Sequence, residues 1–489
     1  MNYYFYLIFD KKLYICTQIY NVFYTMKKVI LSALFLTTMA MEAQQSFAGL
    51  RESFYSGVIQ TTANPAYMIS SKRPWDANLF LVNFDLANNA IKMDTGLMNS
   101  FNDYTRSDAN NPLLNHRINA KLNIDVLGPS LYMKINNQHT VGIFSRVRAL
   151  GNVRNFDAKL LQSIFADGKD LDLTQPYNLT LNDQDVAAHI FSEIGFSWAG
   201  VLYFDGHNAI KGGASLKVIQ GSGNVYAGFR NFEGATASLT IDNSTKSTIL
   251  NIQSQNGVVE VLNGGASLVS FDNLNANDLY FKSNASTLGF DIGAVYEYNK
   301  DGCPHCYNNS HDLRVGFSIM DIGRLKYTPT KDSQRYRMPA SGVASLTMDD
   351  LSEEKLKSTF VDSRAATEKI KVSLPTTLNL SVDYRVARPF FVNLATRFNL
   401  TNKSNAYTAA YANEISLTPR VESEFLGAYL PLTYNQISKT NVGLALRLGP
   451  FVVGSNTILS NLTKSAKEFN FFFGVRFGHR AYQSLSLIH

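Results

Sequence analysis

The sequence predicts an all-β protein: a transmembrane antiparallel β-barrel of about 14 strands with an N-terminal plug segment and long extracellular loops. Three observations predict it. The first is a two-residue alternation of apolar and polar positions, plainest near the end of the chain. There Phe469, Phe471, Phe473, Val475 and Phe477 share one face, and Asn470, Phe472, Gly474, Arg476 and Gly478 share the other. One side suits lipid and the other a polar interior, as a membrane strand requires. The second is composition. Of 489 residues, 12% are aromatic and 17% charged, poorer in charge than the soluble average of about 25% and rich enough in rings to supply interface girdles. After residue 45 no run of about eighteen apolar residues occurs, so helical spans are excluded. The third is the sorting of connection lengths. Every second connection is short (136–139, 205–208, 301–310, 387–388, 418–424, 449–450), and the intervening ones are mostly long (88–117, 151–192, 221–286, 324–377, 458–468). A soluble sandwich has no reason to sort loops by parity, whereas an outer-membrane barrel has tight periplasmic turns and long outer loops.

Taken in order, residues 1–25 are crowded with Tyr, Phe, Ile and Asn and read as a leader translated from upstream of the true start. Met26 then opens a secretory signal over 26–43, with Lys27 and Lys28 ahead of an apolar stretch and a cleavage site after Ala43. No Cys follows that site, so a lipid anchor is not expected. Residues 44–76 lack alternation, carry the turn-forming Asn64-Pro65-Ala66, and form the expected plug or hatch. The barrel is expected over 77–478 and a tail over 479–489. Its strands are read at 78–87, 118–135, 140–150, 193–204, 209–220, 287–298, 312–323, 378–386, 390–400, 409–417, 425–434, 441–448, 451–456 and 469–478. In the first, Phe80, Val82, Phe84 and Leu86 take one face, and Leu79, Leu81, Asn83 and Asp85 the other. Helices are expected in two outer loops, at Arg154 to Phe165 and Ser352 to Val361.

An even number of strands leaves both termini periplasmic. The alternation turns Lys121, Arg146, Arg148, Lys211, Lys217, Asp125, Glu193, Asp291, Glu297 and Asp383 toward the lumen. It also turns Arg385, Arg397, Arg447 and Arg476 inward, facing only Asp383; this is the candidate ligand-binding wall, suited to an anionic group. The ordinary alternative is a polar interior that pairs its own charges. Gly128-Pro129 interrupts the second strand, because proline donates no ladder hydrogen bond. It reads as a bulge, a tight turn, or a lateral opening into the membrane.

Cys303-Pro-His-Cys306 has the spacing of a thiol redox motif, but it lies in a polar turn with no helix behind it to lower a thiol pKa. A disulfide between Cys303 and Cys306 stapling the turn is the expected role. No four-ligand metal spacing is apparent. No nucleophile elbow, zinc-protease motif or phosphate loop occurs, so neither enzyme activity nor a cofactor is expected. The net charge of +6 is spread among acidic residues, which excludes a nucleic-acid footprint.

Several phrases in order resemble a known family. They are Asn64-Pro65-Ala66, His207 through Gly221, Gly316 through Gly323, and Tyr429 through Tyr434 ahead of Gly443 to Gly449. Together they resemble a Bacteroidota-type outer-membrane β-barrel family described as a domain of unknown function, distantly similar to FadL-like transporters of hydrophobic compounds. The resemblance spans nearly the whole mature chain and implies a barrel with an N-terminal hatch. The expected place is the outer membrane among lipid and lipopolysaccharide, and the leading functional expectation is FadL-like passive passage of a small hydrophobic or amphipathic compound. The alternative is a non-transporting envelope scaffold that docks a secretion, motility or surface partner.

Overall fold

The alternating segments pair in chain order, and the last returns to the first. The computed structural model describes residues 47, 49–93, 117–165, 173, 175–265, 285–302, 311–330, 333–348, 353–363, 368–401, 406–463 and 466–479. Its wall strands are β1 (Trp75–Asn88), β2 (Arg117–Leu127, then Ser130–Lys134), β3 (His139–Asp157), β4 (Asp185–Phe204), β5 (Asn208–Arg230), β6 (Ala285–Tyr298) and β7 (Leu313–Ile322). They continue as β8 (Thr377–Ala387), β9 (Phe390–Asn399), β10 (Glu414–Glu422), β11 (Leu426–Tyr429 and Leu432–Asn435), β12 (Lys439–Val442 and Leu444–Leu448), β13 (Phe451–Ser455) and β14 (Glu468–His479). Each pairs antiparallel with its neighbours. Pairs from Trp75↔His479 to Ala87↔Glu468 join β14 to β1, closing a ring of 14 strands. Closure leaves no open edge, so backbone polar groups are satisfied within the wall, the condition for strands to cross lipid.

Side chains sort as that environment demands. Ile194, Phe196, Leu288, Phe317, Phe398 and Phe473 face outward and are exposed, while the positions between them carry buried Glu193, Ser197, Asp291, Ser318, Arg397 and Phe472. No helix among the described residues is long and apolar enough to cross a membrane.

Several boundaries differ from the expected ones. β3, β4 and β5 run well beyond their expected ends, because Phe156, Val186 and Tyr226 keep burying side chains past the lipid-facing band. Arg154 therefore lies in β3, ion-paired to Asp185 of β4, and the helix expected from it starts only at Ala158 (α1, Ala158–Phe165). Asp157 starts that helix by accepting the N–H groups of Lys159 and Leu160 at 3.0 and 3.2 Å. The second expected helix is Glu353–Thr359, labelled α2. β10 begins at Glu414 rather than residue 409 and extends to Glu422, through what was read as a turn. In β1 a bulge between Asn78 and Phe80 flips the parity, so Leu79 faces out and is 52% exposed instead of sharing a face with Leu81.

The long connections all leave from the end opposite the termini, and there they build structure the sequence reading lacked. Tyr177–Leu179, Thr236–Ile241, Thr248–Gln253 and Val343–Thr347 form a separate four-stranded sheet. Leu239, Leu250, Ile252 and Leu346 from this sheet share an apolar core with Leu160 of α1 and Leu356 of α2. A two-stranded antiparallel sheet, Arg324–Tyr327 with Ile370–Ser373, places Tyr327 and Val372 in a second apolar core.

Candidate functional site

The lumen is occupied by the chain itself. Residues 49–74 enter at the end of the barrel that holds the termini and form two 3-10 helices, Gly57–Thr62 and Pro65–Ser70, nearly every residue of which is buried. Asn64 starts the second: its Oδ1 accepts the Ala66 N–H at 2.9 Å, and proline follows where no N–H is needed. The Asn64 amide then donates to the wall carbonyls of Ala294 and Phe317 at 3.2 and 3.0 Å. Thus Asn64, Pro65 and Ala66 lie against β6 and β7.

What lets a helix press so close to a sheet is the absence of side chains on the wall beneath it. A Cβ added at Gly213 of β5 would stand 2.4 Å from the Ala66 nitrogen; at Gly293 of β6 it would stand 2.0 Å from Asn64 Oδ1. At Gly316 of β7 it would stand 2.2 Å from the Tyr67 hydroxyl. Gly213 and Gly293 are direct partners, and Gly316 pairs with Val295 two positions along β6, so the three form one bare patch across three strands. Farther along the segment, Ser53 bonds Glu422, Ser70 donates to Glu297 at 2.6 Å, and Arg314 donates to the Glu52 carbonyl. A narrow cavity of about 10 Å³, room for one water, remains between Arg51, Asn64 and Tyr67 and the wall at Ser318 and Ser381.

Deeper in the lumen lies a belt of ion pairs. Asp125 of β2 receives Arg146 of β3 through Nε at 2.6 Å, and Arg146 also reaches Glu193 of β4 at 3.4 Å. Arg148 bonds Glu193 at 2.8 Å and, with both terminal nitrogens, Asp321 at 2.7 Å. Lys217 of β5 bonds Asp291 of β6 at 2.6 Å and also reaches Asp321. Asp321, reached from two strands, sits in the left-handed region (φ 60°), at a register shift between β6 and β7. All these groups are buried, and mutual pairing is what makes buried charge tolerable. Nearer the termini, Asp383 takes Arg420 and, at 2.6 Å, His311, while Lys211 bonds Glu297 at 2.6 Å.

The four expected arginines are all inward and buried, but they do not form a wall facing only Asp383. Arg385 pairs with Asp312, and Arg476 lies 3.8 Å from Asp76. Arg447 donates to the carbonyls of Ser423, Glu424 and Leu426, and Arg397 stacks over Tyr411 at 4.7 Å beside its strand partner Glu414. The expectation fails because β10 runs on to residue 422. That turns Arg420 and Glu422 inward and gives Asp383 its cation, and the same strand brings in Glu414.

At Gly128-Pro129 the second strand breaks. Its register against β3 shifts by one residue between Leu127↔Arg146 and Leu131↔Ile143, directly beside the β1 bulge. β1 pairs with the second strand on either side of the break, at Leu81↔Leu127 and Asn78↔Ser130. Between these pairs the Asn78 side chain donates to the carbonyls of Leu127 and Gly128 at 3.1 and 2.9 Å. The sequence reading does not reveal Asn78, because simple alternation puts it on the outward face of Phe80 and only the bulge turns it inward, opposite Ser130. Cys303 and Cys306 lie outside the described residues. Among the described residues no group of three or more His, Cys, Asp and Glu side chains is placed to hold a metal ion.

Comparison with known proteins gives one match by sequence. The model of a family described as "Family of unknown function (DUF5723)" matches residues 65–456. No curated protein matches. Among solved structures, the TodX deltaS2S3 mutant monoaromatic hydrocarbon channel is 10% identical, with a TM-score of 0.44 over 91% of this chain and 98% of that one. The Ralstonia pickettii toluene transporter TbuX is 10% identical, with a TM-score of 0.41 over 90% and 97%. A Pseudomonas aeruginosa FadL homologue is 10% identical, with a TM-score of 0.33 over 89% and 98%. Likeness at that level assigns no substrate.

Proposed function

The chain belongs to the family of unknown function DUF5723, and from that premise we propose that it is an outer-membrane barrel passing a small hydrophobic or amphipathic compound passively into the membrane. The observation that carries the reading is the break in the wall. Two irregularities on neighbouring strands, the β1 bulge and Gly128-Pro129, coincide, and side-chain bonds from one residue, Asn78, bridge them. A side-chain latch is easier to undo than a backbone ladder, so this is where a solute would leave the lumen sideways. In this reading the end bearing the termini is periplasmic, residues 49–74 are the hatch, and the capped end faces outward. Arg397, Arg447 and Arg476 supply polar anchors for an amphipathic head group, and Cys303 and Cys306 staple a periplasmic turn.

Proteoliposomes test it. N-phenyl-1-naphthylamine, which fluoresces on entering lipid, should transfer faster into vesicles carrying the protein than into empty ones. Asn78→Ala should quicken the transfer, and Pro129→Ala, which returns a backbone N–H to the strand, should slow it. Transfer equal to empty vesicles for all three proteins would refute the reading.

A second reading, an envelope scaffold docking a secretion, motility or surface partner, draws on the cap, since a solute channel has no need of an outer sheet with its own apolar core. A stoichiometric partner copurifying with the barrel, with no solute transfer, would favour it.

A further inference from the structure

The two-stranded sheet of Arg324–Tyr327 and Ile370–Ser373 has two unlike faces. Leu325, Tyr327, Ile370 and Val372 are buried in the second apolar core, together with the wall residues Leu150 and Phe191. The opposite face carries Arg324, Lys326 and Lys371, all exposed, with exposed Lys369 just ahead of the second strand. Lys326 and Lys371 are direct cross-strand partners. Like charges placed opposite one another destabilise a sheet, and none of these four cations has an ion pair or a side-chain hydrogen bond among the described residues. A glutamate at either lysine position would give the sheet a favourable pair, so the needs of the fold do not account for the charge.

The position of this face says what does. The sheet prolongs β7 and β8 beyond the wall: the Leu374 N–H donates to the Gly323 carbonyl at 3.0 Å, and the Thr376 hydroxyl to the Asp321 carbonyl at 2.8 Å. Ile322 is 40% exposed, pairs with exposed Phe290, and belongs to the lipid-facing band. Arg324 and Lys326 follow it at alternate positions, about 7 and 13 Å farther along the strand. There the acyl region gives way to head groups, and the stems of Lys and Arg can lie along apolar surface while their charges reach the polar layer.

We propose that Arg324, Lys326, Lys369 and Lys371 form a binding site for the phosphate groups of a phosphorylated glycolipid of the outer leaflet, whose acyl chains lie against Ile322 and Phe290. The site rests on the outward orientation of the capped end and not on solute passage. A phosphate between Lys326 and Lys371 replaces their mutual repulsion by two attractions, and the Arg324 guanidinium adds paired donors that match phosphate oxygens. Basic clusters at a membrane surface attract anionic lipid through charge; here a sheet anchored by its buried face also fixes their spacing.

The test uses the full chain in detergent and native mass spectrometry, with diphosphoryl lipid A, monophosphoryl lipid A and phosphatidylglycerol as probes. Wild type should retain diphosphoryl lipid A most strongly, the monophosphoryl form less and phosphatidylglycerol least. Lys326→Gln/Lys371→Gln should weaken retention of diphosphoryl lipid A about thirtyfold. Lys371→Glu should abolish it while raising the denaturant midpoint, because Lys326 then faces an opposite charge; a variant more stable than wild type separates lost binding from lost folding. Equal retention of the three lipids, or retention of diphosphoryl lipid A indifferent to the two lysines, would each overturn the proposal. Retention is measured without transfer, so a barrel that binds the lipid through these residues but passes no solute would uphold this site and refute the transport reading alone.

Discussion

At the scale of single residues, Asp321 of β7 ties Arg148 of β3 to Lys217 of β5 across the lumen. Besides Arg148 and Lys217, it engages Asp291 through its own N–H, which donates at 2.7 Å. Asparagine tolerates the same left-handed backbone, so Asp321→Asn isolates the charge. Removing one partner from a buried ion network leaves the others uncompensated, and the loss should be about 3–5 kcal/mol, read as a lower denaturant midpoint for the shift in gel migration. A surface carboxylate shows the opposite regime. Asp205, in the turn between β4 and β5, accepts the N–H groups of Asn208 and His207 at 2.7 and 3.0 Å, and these bonds, Asn208 first, hold its carboxyl down to about 2. A carboxyl lowered on folding contributes stability that is complete above its unfolded value of about 3.9 and fades as pH falls through the folded value. Asp205→Ala should therefore be less stable than wild type at neutral pH, and the two should converge toward pH 2 in unfolding titrations.

At the scale of elements, the bare patch of Gly213, Gly293 and Gly316 decides where the N-terminal segment lies. Gly213→Leu forces a side chain into the backbone of Ala66, which cannot give way as a flexible side chain could. The wall strand should survive and the segment should not: limited proteolysis of folded barrel should release fragments cut within 57–70 from the variant and not from wild type. How much of this was legible follows from what alternation can and cannot carry. Lys121, Arg146, Glu193, Lys217 and Asp291 were readable as inward because each lies an even number of steps along an unbroken strand. Leu79 was not, because a bulge changes parity without changing composition. The cation of Asp383 was hidden for a related reason: Arg420, which also pairs with Glu422, follows Pro419, a residue that looks like a turn but lies within β10. The cap could have been found, since Ala237, Leu239 and Ile241 alternate, as do Leu250 and Ile252, but strands of six residues inside a long connection do not announce which sheet they join.

At the scale of the whole molecule, closure and the sorting of connections define two unlike ends. With the proposed orientation, protease added to intact cells should cut within 221–286 or 324–377 and leave 205–208 untouched; cleavage confined to the short turns would reverse it. The filled lumen also bears on how such a molecule is made. Ser53, near the beginning of the chain, bonds Glu422 and accepts from Tyr429 at 3.2 Å, and Phe47 rests edge-on against Phe472 of the closing strand. The beginning of the chain thus finds its partners only when the end has been synthesised. Until then it must be kept from aggregating, and the ring must not shut before the segment is inside. Biogenesis of this barrel is therefore a problem of timing as much as of insertion, and in the proposed outer-membrane setting a defect at Glu422 would show itself first as unassembled chain lingering in the periplasm.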